Sequence, residues 1–307
     1  MHISRFRLIP ALALFAGLAP SLLAHRQWML PSSTVLSAAD PWVTVDAAVS
    51  NELFYFDHVP LRLNNLTITA PDGSAIEPQN PATGKYRSTF DINLKKQGTY
   101  RVSLVNSTVF ATWTENGEAK NWRGTAAAFA KEVPQNATGL KTSKMNSRVE
   151  LFLTSGKPTR EALAPTGSGL EMVPVTHPND LVAGEAATFQ LLSDGKPAAD
   201  LEVTVIPGGI RYRNQLHEVK IKTDAEGKFT TTFKDPGMYW LNASTGGGRG
   251  PGGPGGPVGG PNAGAPRQGG PNAGGPRPGG GPGGGPGGRM PAGNRASYVA
   301  TLEVLPQ

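Results

Sequence analysis

Histidine is the residue type in this sequence best suited to chemistry, because the chain contains no cysteine. Neutral imidazole binds Ni, Co, Cu and Zn ions, whereas thiolate ligands, disulfides and cysteine nucleophiles are excluded. After residue 24 the histidines are His25, His58, His177 and His217. Their spacing matches no local metal motif, so we predict that any metal site is assembled by the fold.

The first 24 residues look like a leader that is removed. Residues 1–7 carry Arg5 and Arg7, and residues 8–24 are almost wholly apolar and end in Ala24. This is the pattern of a secretory signal peptide, and so short an apolar segment, interrupted by prolines, is marginal for spanning a membrane. We predict cleavage after Ala24 and a soluble periplasmic or secreted protein with no transmembrane segment.

Cleavage after Ala24 would give His25 a special chemistry. A first residue has a free α-amine, with a pKa of about 8, and here that amine and the imidazole could chelate one ion. A second imidazole would complete a nitrogen set of the kind that Cu(II) and Ni(II) favour. We predict His58 as the partner, because it occupies a polar-edged loop beside Asp57, which could bind the ion or orient the ring.

The other histidines are further metal candidates with structural alternatives. His177 precedes Pro178 in a predicted turn, and His217 begins an alternating segment with Val219 and Ile221. If that face is core, His217 is a buried histidine rather than a ligand. His25 and His58 have alternatives too, as an exposed terminal residue and a surface loop residue without function.

Aromatic residues gather around the same loop, but motifs for catalysis are missing. Trp28, Trp42, Phe54, Tyr55 and Phe56 could fill a core or line a groove for sugars or peptides. The sequence contains no G-x-S-x-G, no H-E-x-x-H and no glycine-rich phosphate loop. We therefore predict that the protein is not an enzyme.

The fold class follows from short runs of valine, threonine, leucine and aromatic residues separated by turn residues. These runs predict strands at 26–30, 42–49, 61–70, 86–94, 98–105, 109–114, 147–154, 185–193, 201–206, 217–223, 228–233, 238–242 and 297–305. Residues 122–131 predict the one helix, which Pro134 ends. We predict an all-β chain of two Ig-like β-sandwich domains in tandem, at 25–154 and 169–307, with a linker at 155–168.

A glycine- and proline-rich tract interrupts the second predicted domain. Residues 245–295 hold 24 of the 40 glycines, 11 of the 28 prolines, five arginines and no acidic residue. So few apolar side chains cannot offset the entropy of ordering, which predicts a disordered insertion between the last two strands. Without these arginines and those of the leader the formal charge falls from +6 to −1, so the folded domains are not expected to bind nucleic acid.

Three stretches resemble the DUF4198 family. Residues 25–32 (HRQWMLPS) are similar to its opening motif, AH-x-x-W-L-x-P, and residues 169–209 and 223–244 are similar to motifs of its second half. The sequence departs from the family at His177–Asn179, where the family has Asn-Pro, and in the long tract. The resemblance implies an exported bacterial protein, and some members are described as periplasmic components of nickel or cobalt uptake.

Three functional hypotheses follow. The first is an exported protein that binds Ni, Co or Cu as an accessory to periplasmic metal uptake, with a membrane metal transporter as its partner. The second is an interaction module that contacts an envelope receptor and binds no metal. The third is a copper oxidase with an N-terminal histidine brace, resembling the polysaccharide monooxygenases.

Overall fold

The computed structural model describes residues 25–246 and 293–307. The described strands, in chain order, are β1 (Arg26–Pro31), β2 (Val35–Leu36), β3 (Trp42–Ser50), β4 (Val59–Pro60), β5 (Leu66–Thr69), β6 (Ala75–Ile76), β7 (Gln79–Thr83), β8 (Ser88–Asn93), β9 (Gly98–Glu115), β10 (Glu118–Gly124), β11 (Thr138–Ser155), β12 (Leu170–Pro174), β13 (Ala186–Ser193), β14 (Lys196–Pro197), β15 (Glu202–Pro207), β16 (Val219–Lys222), β17 (Lys228–Thr232), β18 (Gly237–Ser244) and β19 (Arg295–Val304). One α-helix, α1 (Ala126–Glu132), and two 3-10 turns (Glu161–Leu163 and Ile210–Tyr212) complete the described elements. The prediction of an all-β, Ig-like sandwich protein is confirmed.

The strands form three sheets. The small sheet has the order β1-β3-β8-β7, with β4 also paired to β3. The large sheet has the order β16-β15-β18-β19-β11-β9-β5-β6, with β10 added to β9 and β2 to β11. The third sheet has the order β12-β13-β14, with β17 on β13.

Two hydrophobic cores contain side chains of the large sheet together with those of the other two. In the first core, Trp28 and Phe90 of the small sheet join Leu151 of the large sheet. In the second core, Phe189 of the third sheet joins Leu241 and Leu302 of the large sheet. Each fully buried side chain of this size contributes about 1.5–3 kcal/mol to stability, so the large sheet is stabilised from both cores.

The two halves predicted from the sequence share backbone hydrogen bonds. β11 of the first half and β19 at the end of the chain pair in parallel, from Met145↔Arg295 to Leu151↔Thr301. The segment 155–168, predicted as a linker, contains the turn Glu161–Leu163, in which Ala162 and Leu163 are buried. The domain boundaries stay a prediction, but the large sheet runs across them without interruption.

The structure corrects the predicted helix at 122–131. Residues 118–124 are strand β10, which pairs with the end of β9, and α1 begins only after Thr125, whose hydroxyl accepts a hydrogen bond from the Ala128 amide. The turn between β9 and β10 is Asn116-Gly117, with φ of 51° and 81°. This pair is a strong hairpin signal, and the hairpin it starts takes in residues 122–124, so that the helix is confined to the alanine-rich residues 126–132.

The glycine-rich tract lies inside a hairpin. β18 and β19 pair antiparallel from Gly237↔Val304 to Ser244↔Ser297, so the chain leaves and rejoins the large sheet at neighbouring positions. Residues 247–292, to which most of the predicted disordered insertion belongs, lie outside the described residues, as does the predicted leader at 1–24.

Candidate histidine site

The structure brings His25 and His58 together. Their imidazole rings stack with centroids 3.7 Å apart and an angle of 4° between the ring planes. His25 is half-buried and His58 is exposed. Two imidazoles that are 33 positions apart in the sequence therefore form one surface feature, called the histidine pair below.

Strand pairing explains how the two rings meet. β1 pairs with β3 up to Arg26↔Ser50, and β4 pairs with β3 at Val49↔Val59. His25 and His58 are the residues just before β1 and β4, so both lie at the same end of β3. Since β1 and β4 occupy opposite edges of β3 at this point, the two side chains approach each other from either side of it.

Asp57 holds the loop that carries His58. Its carboxylate accepts hydrogen bonds from the Asn51 amide at 2.9 Å and from the Glu52 amide at 3.2 Å. Both oxygens are thus used to close the turn between β3 and β4. These contacts hold the loop rather than the His58 ring, so the two roles expected for Asp57, ligand or group that orients the ring, stay predictions.

Side chains of β1 and β3 fix the other side of the same loop. The Trp28 indole donates to the Ser50 hydroxyl at 2.7 Å, and that hydroxyl donates to the Glu52 carbonyl at 2.6 Å. Arg26 donates to the Asn51 carbonyl at 2.8 Å. Because Trp28 is fully buried, this chain of bonds ties the loop of the histidine pair to the first core.

The tip of the loop is anchored to the segment after β15. Phe54 has a φ of 62°, which is rare for a bulky residue, and its ring packs edge-on against Trp28 with centroids 5.5 Å apart. Arg211 lies 3.7 Å above the Tyr55 ring and forms an ion pair with Glu52 at 3.4 Å. Strained residues persist only where their surroundings determine them, so this loop has a defined shape.

The surroundings of His58 favour its neutral imidazole. Partial burial against its neighbours and then the charge of His25 lower the pKa of His58, and Asp57 opposes them. Neutral imidazole is the form that binds metal ions. The His58 ring is therefore shifted towards the form that coordinates an ion.

His177 is part of the packing. Its Nε2 lies 3.0 Å from the Thr99 hydroxyl and 3.1 Å from the Thr159 carbonyl, and its Nδ1 accepts from the Asn179 amide at 3.2 Å. The ring is buried, and burial lowers the pKa of His177. Both ring nitrogens are engaged with protein groups, which leaves none for an ion.

His217 is exposed and is not part of the histidine pair. It has a φ of 52° and precedes β16, which begins at Val219 rather than at 217. It is exposed, as is Val219, so the face predicted as a core is largely solvated. His217 lines a cleft of about 350 Å³ together with Phe54, Arg213 and Tyr239.

No group of three or more histidine and acidic side chains arranged for a metal ion occurs in the described part of the chain.

The match to a known family extends over most of the chain. The profile of a family described as a domain of unknown function, DUF4198, matches residues 22–247. The chain belongs to the DUF4198 family. The resemblance seen in the sequence is thereby confirmed, whereas export and a role in nickel or cobalt uptake stay predictions.

Comparisons of the DUF4198 chain with individual proteins give remote likenesses only. No curated protein matches the chain. Among solved structures, the D0-D1 domain of intimin is 16% identical and covers 70% of this chain and 88% of its own, with a TM-score of 0.20. The ligand-binding domain of human OSCAR is 12% identical and covers 74% and 94%, with a TM-score of 0.17. At these scores neither likeness carries an argument about function.

Sequence reasoning on this DUF4198 protein missed the residues that support the histidine pair. Ser50, Asn51 and Glu52 supply the groups that Asp57 and Trp28 bind. The run Ser50-Asn51-Glu52 followed by Asp57 is typical of turns that side chains close, so a signal was present. The contact of Arg211 with Tyr55 had no such signal, because the two residues are far apart in the sequence.

No helix of the described ranges has the length and apolar character needed to cross a membrane.

Proposed function

We propose that the mature DUF4198 protein binds a divalent transition-metal ion (Ni, Co or Cu) at the histidine pair, outside the cytoplasm, as an accessory to a membrane metal transporter. The ligands would be the α-amine and imidazole of His25 and the imidazole of His58. The single observation that carries the proposal is the 3.7 Å stack of the two rings. Here the ion is cargo rather than a catalytic cofactor.

The donor set fits these metals. Nitrogen ligands suit Ni, Co and Cu better than the oxygen-preferring Ca and Mg. The amine and ring of one residue form a chelate once Ala24 is removed, and the loop keeps His58 beside it. To bind one ion, the two imidazoles must turn out of their parallel stack so that a nitrogen of each ring points at the ion. Asp57 supports the site by shaping the loop, and outer groups of this kind affect metal affinity strongly.

The test is calorimetric titration of Ni(II), Co(II), Cu(II) and Zn(II) into protein whose first residue is His25. We expect binding of one ion per chain. One extra residue before His25 should abolish the chelate and with it most of the affinity. Asp57→Asn should weaken binding by roughly 10- to 100-fold, and His58→Ala by more, because it removes a ligand.

A matched control is His217→Ala, which deletes an exposed histidine outside the pair and should leave the affinity unchanged. Equal binding by the extended protein, or by His58→Ala, would refute the proposed ligand set. Failure of all four ions to bind would reject metal binding altogether and leave the interaction module as the leading function.

A further inference from the structure

A second surface, at the other end of the small sheet, exposes an indole. Along β3 the residues Val43, Val45 and Ala47 point inward and are fully buried, so Trp42 and Thr44 point outward. Trp42 is 52% exposed and belongs to neither core. Eight positions of β3 separate Trp42 from Ser50, which lies beside the histidine pair, a distance of about 26 Å at strand spacing. Packing in a hydrophobic core therefore does not account for this side chain.

Polar side chains surround the indole on the same face. Trp42 is paired with Asn93 and Thr44 with Asp91 across β3 and β8, and residues paired in this way lie side by side on one face of a sheet. Asp40 and Asn80 reach this face from neighbouring loop and edge positions. We call this set the Trp42 face: Asp40, Trp42, Thr44, Asn80, Asp91 and Asn93.

Hydrogen bonds hold these polar groups in place. Thr44 donates to Asp91 Oδ1 at 2.7 Å, and Asn80 donates to Asp91 Oδ2 at 2.9 Å. Asn93 donates to Asp40 Oδ1 at 2.8 Å. Carboxylate oxygens accept more than one hydrogen bond each, so Asp40 and Asp91 keep free acceptor capacity in fixed positions. Ordered side chains lose little further entropy when a ligand binds.

We propose that the Trp42 face binds a neutral saccharide, with the indole stacked on a pyranose ring and the Asp40 and Asp91 carboxylates and the Asn80 carboxamide bonded to its hydroxyl groups. The Asn93 carboxamide donates to Asp40 and to the Pro41 carbonyl, so its role is to hold Asp40 in place. The face of an indole is electron-rich and attracts the weakly positive C–H groups on one side of a sugar ring. Hydroxyl groups are donors that carboxylates accept and acceptors that carboxamide N–H groups satisfy.

Charge selects this ligand over others. The charged groups of the Trp42 face are Asp40 and Asp91, and at the next outward position of β3 Asp46 is ion-paired with Arg87. The surface is therefore acidic, and phosphate, nucleic acid and acidic polymers are repelled. If two copies of the chain docked symmetrically through this face, the carboxylates of one copy would lie close to those of the other and repel them. A neutral ligand rich in hydroxyl groups brings no negative charge near Asp40 and Asp91, so neither kind of repulsion arises.

The test is affinity electrophoresis of the mature protein in gels that contain soluble glucans, mannans or xylans, followed by calorimetry with oligosaccharides of the polymer that retards it. We expect retardation by at least one polymer. Trp42→Ala should lower the affinity by roughly tenfold or more, and Thr44→Val should lower it less. The side chain of Trp42 is exposed, so the variant should fold, which circular dichroism checks.

Tyr212→Ala is the matched control, because Tyr212 is 87% exposed and lies outside the Trp42 face; it should bind saccharide as the parent does. Trp42→Ala should also keep the metal affinity of the parent, so that this inference and the proposed metal site fail or succeed separately. No retardation by any polymer, or equal retardation of Trp42→Ala, would overturn the inference. Self-association of the parent that Trp42→Ala abolishes would also overturn it, since the indole would then serve a dimer.

Discussion

At the scale of single residues, burial and hydrogen bonding decide what each histidine does. His25 and His58 stack on each other, and His58 is exposed to solvent. His177 has the same side chain but is buried among Thr99, Thr159 and Asn179. The same ring is therefore a candidate ligand in one place and a structural hydrogen-bonding group in the other.

His177 should make stability depend on pH. Burial lowers its pKa in the folded protein, so as the pH falls below about 6.5, the ordinary value for histidine, the unfolded chain takes up a proton that the folded chain resists. The contribution of His177 is present above that pH and is lost as the pH falls towards the folded pKa. We expect the free energy of unfolding in urea to drop between pH 7.5 and pH 5.5, and to drop less in His177→Gln.

For each protein, the quantity compared is the difference between its free energy of unfolding at pH 7.5 and at pH 5.5. A loss of stability in the variant that is the same at both pH values therefore cancels. His217→Gln, at an exposed site, should keep the pH dependence of the parent. An identical drop in His177→Gln and the parent would contradict this assignment.

At the scale of elements, a two-residue turn determines where the β9–β10 hairpin bends. Asn116 and Gly117 both have positive φ, as a type I′ turn requires, and they connect β9 to β10. The right-handed twist of the two strands matches this turn. The helix α1 can begin only where that pairing ends, at Gly124, and the Thr125 cap marks the position.

Gly117→Ala should weaken this hairpin. Nothing lies within 4 Å of the position that a Cβ would occupy, so the effect comes only from placing a side chain at a φ of 81°. We expect a loss of about 1–2 kcal/mol in the stability of the hairpin. Amide hydrogen exchange in β10 should be faster than in the parent, whereas exchange in β3 should be unchanged.

Gly84→Ala is the matched control: its backbone is not in the left-handed region, and the nearest atom to a Cβ there is the Arg87 carbonyl at 3.5 Å. It should leave exchange in β10 unchanged. If Gly117→Ala did so too, the turn would not control the hairpin.

At the scale of the whole molecule, a buried ionic network joins the two halves. Arg148 on β11 binds Glu150 at 3.1 Å and donates to Thr166 and Ser168 in the segment before β12. Glu150 also accepts from Tyr298 of β19 at 2.9 Å, and burial, then the charge of Glu150, raises the pKa of that tyrosine. The network lies where β11 and β19 pair, at the junction of the predicted domains.

Arg148→Ala should destabilise both halves together. It leaves the carboxylates of Glu150 and Glu171 buried without their cation, and breaking a buried pair costs about 3–5 kcal/mol. Because the halves share the large sheet, we expect one unfolding transition, with tryptophan fluorescence and circular dichroism changing together in both proteins.

Lys222→Ala provides the control, since its ion pair with Asp200 is exposed on both sides and such pairs contribute little. Two separated transitions in the parent would show that the halves are independent domains, contrary to this prediction.

Much of the fold was predictable because its signals are local. Alternation of inward and outward residues in β3, β13 and β15 reports a strand directly, and Asp194-Gly195 predicted the turn after β13, where both residues have positive φ. Local signals failed at 122–124, which belong to β10 although they adjoin the alanine-rich helix α1. They also divided β9 into two strands at 106–108 and missed the polar outer half of β11, residues 138–146, which pairs with β9.

The sequence by itself determined the strand pattern, the family and the choice of His25 with His58, since each depends on residue types and their order along the chain. Only the tertiary structure decided that the two rings touch, that Asp57 supports the loop and that His177 is buried. It also placed Trp42 outside the core, away from the other aromatic residues of its segment. These facts depend on which strands are neighbours in the sheets. The parallel pairing of β11 with β19, for example, joins residues about 150 positions apart, and a local sequence pattern carries no information over that separation.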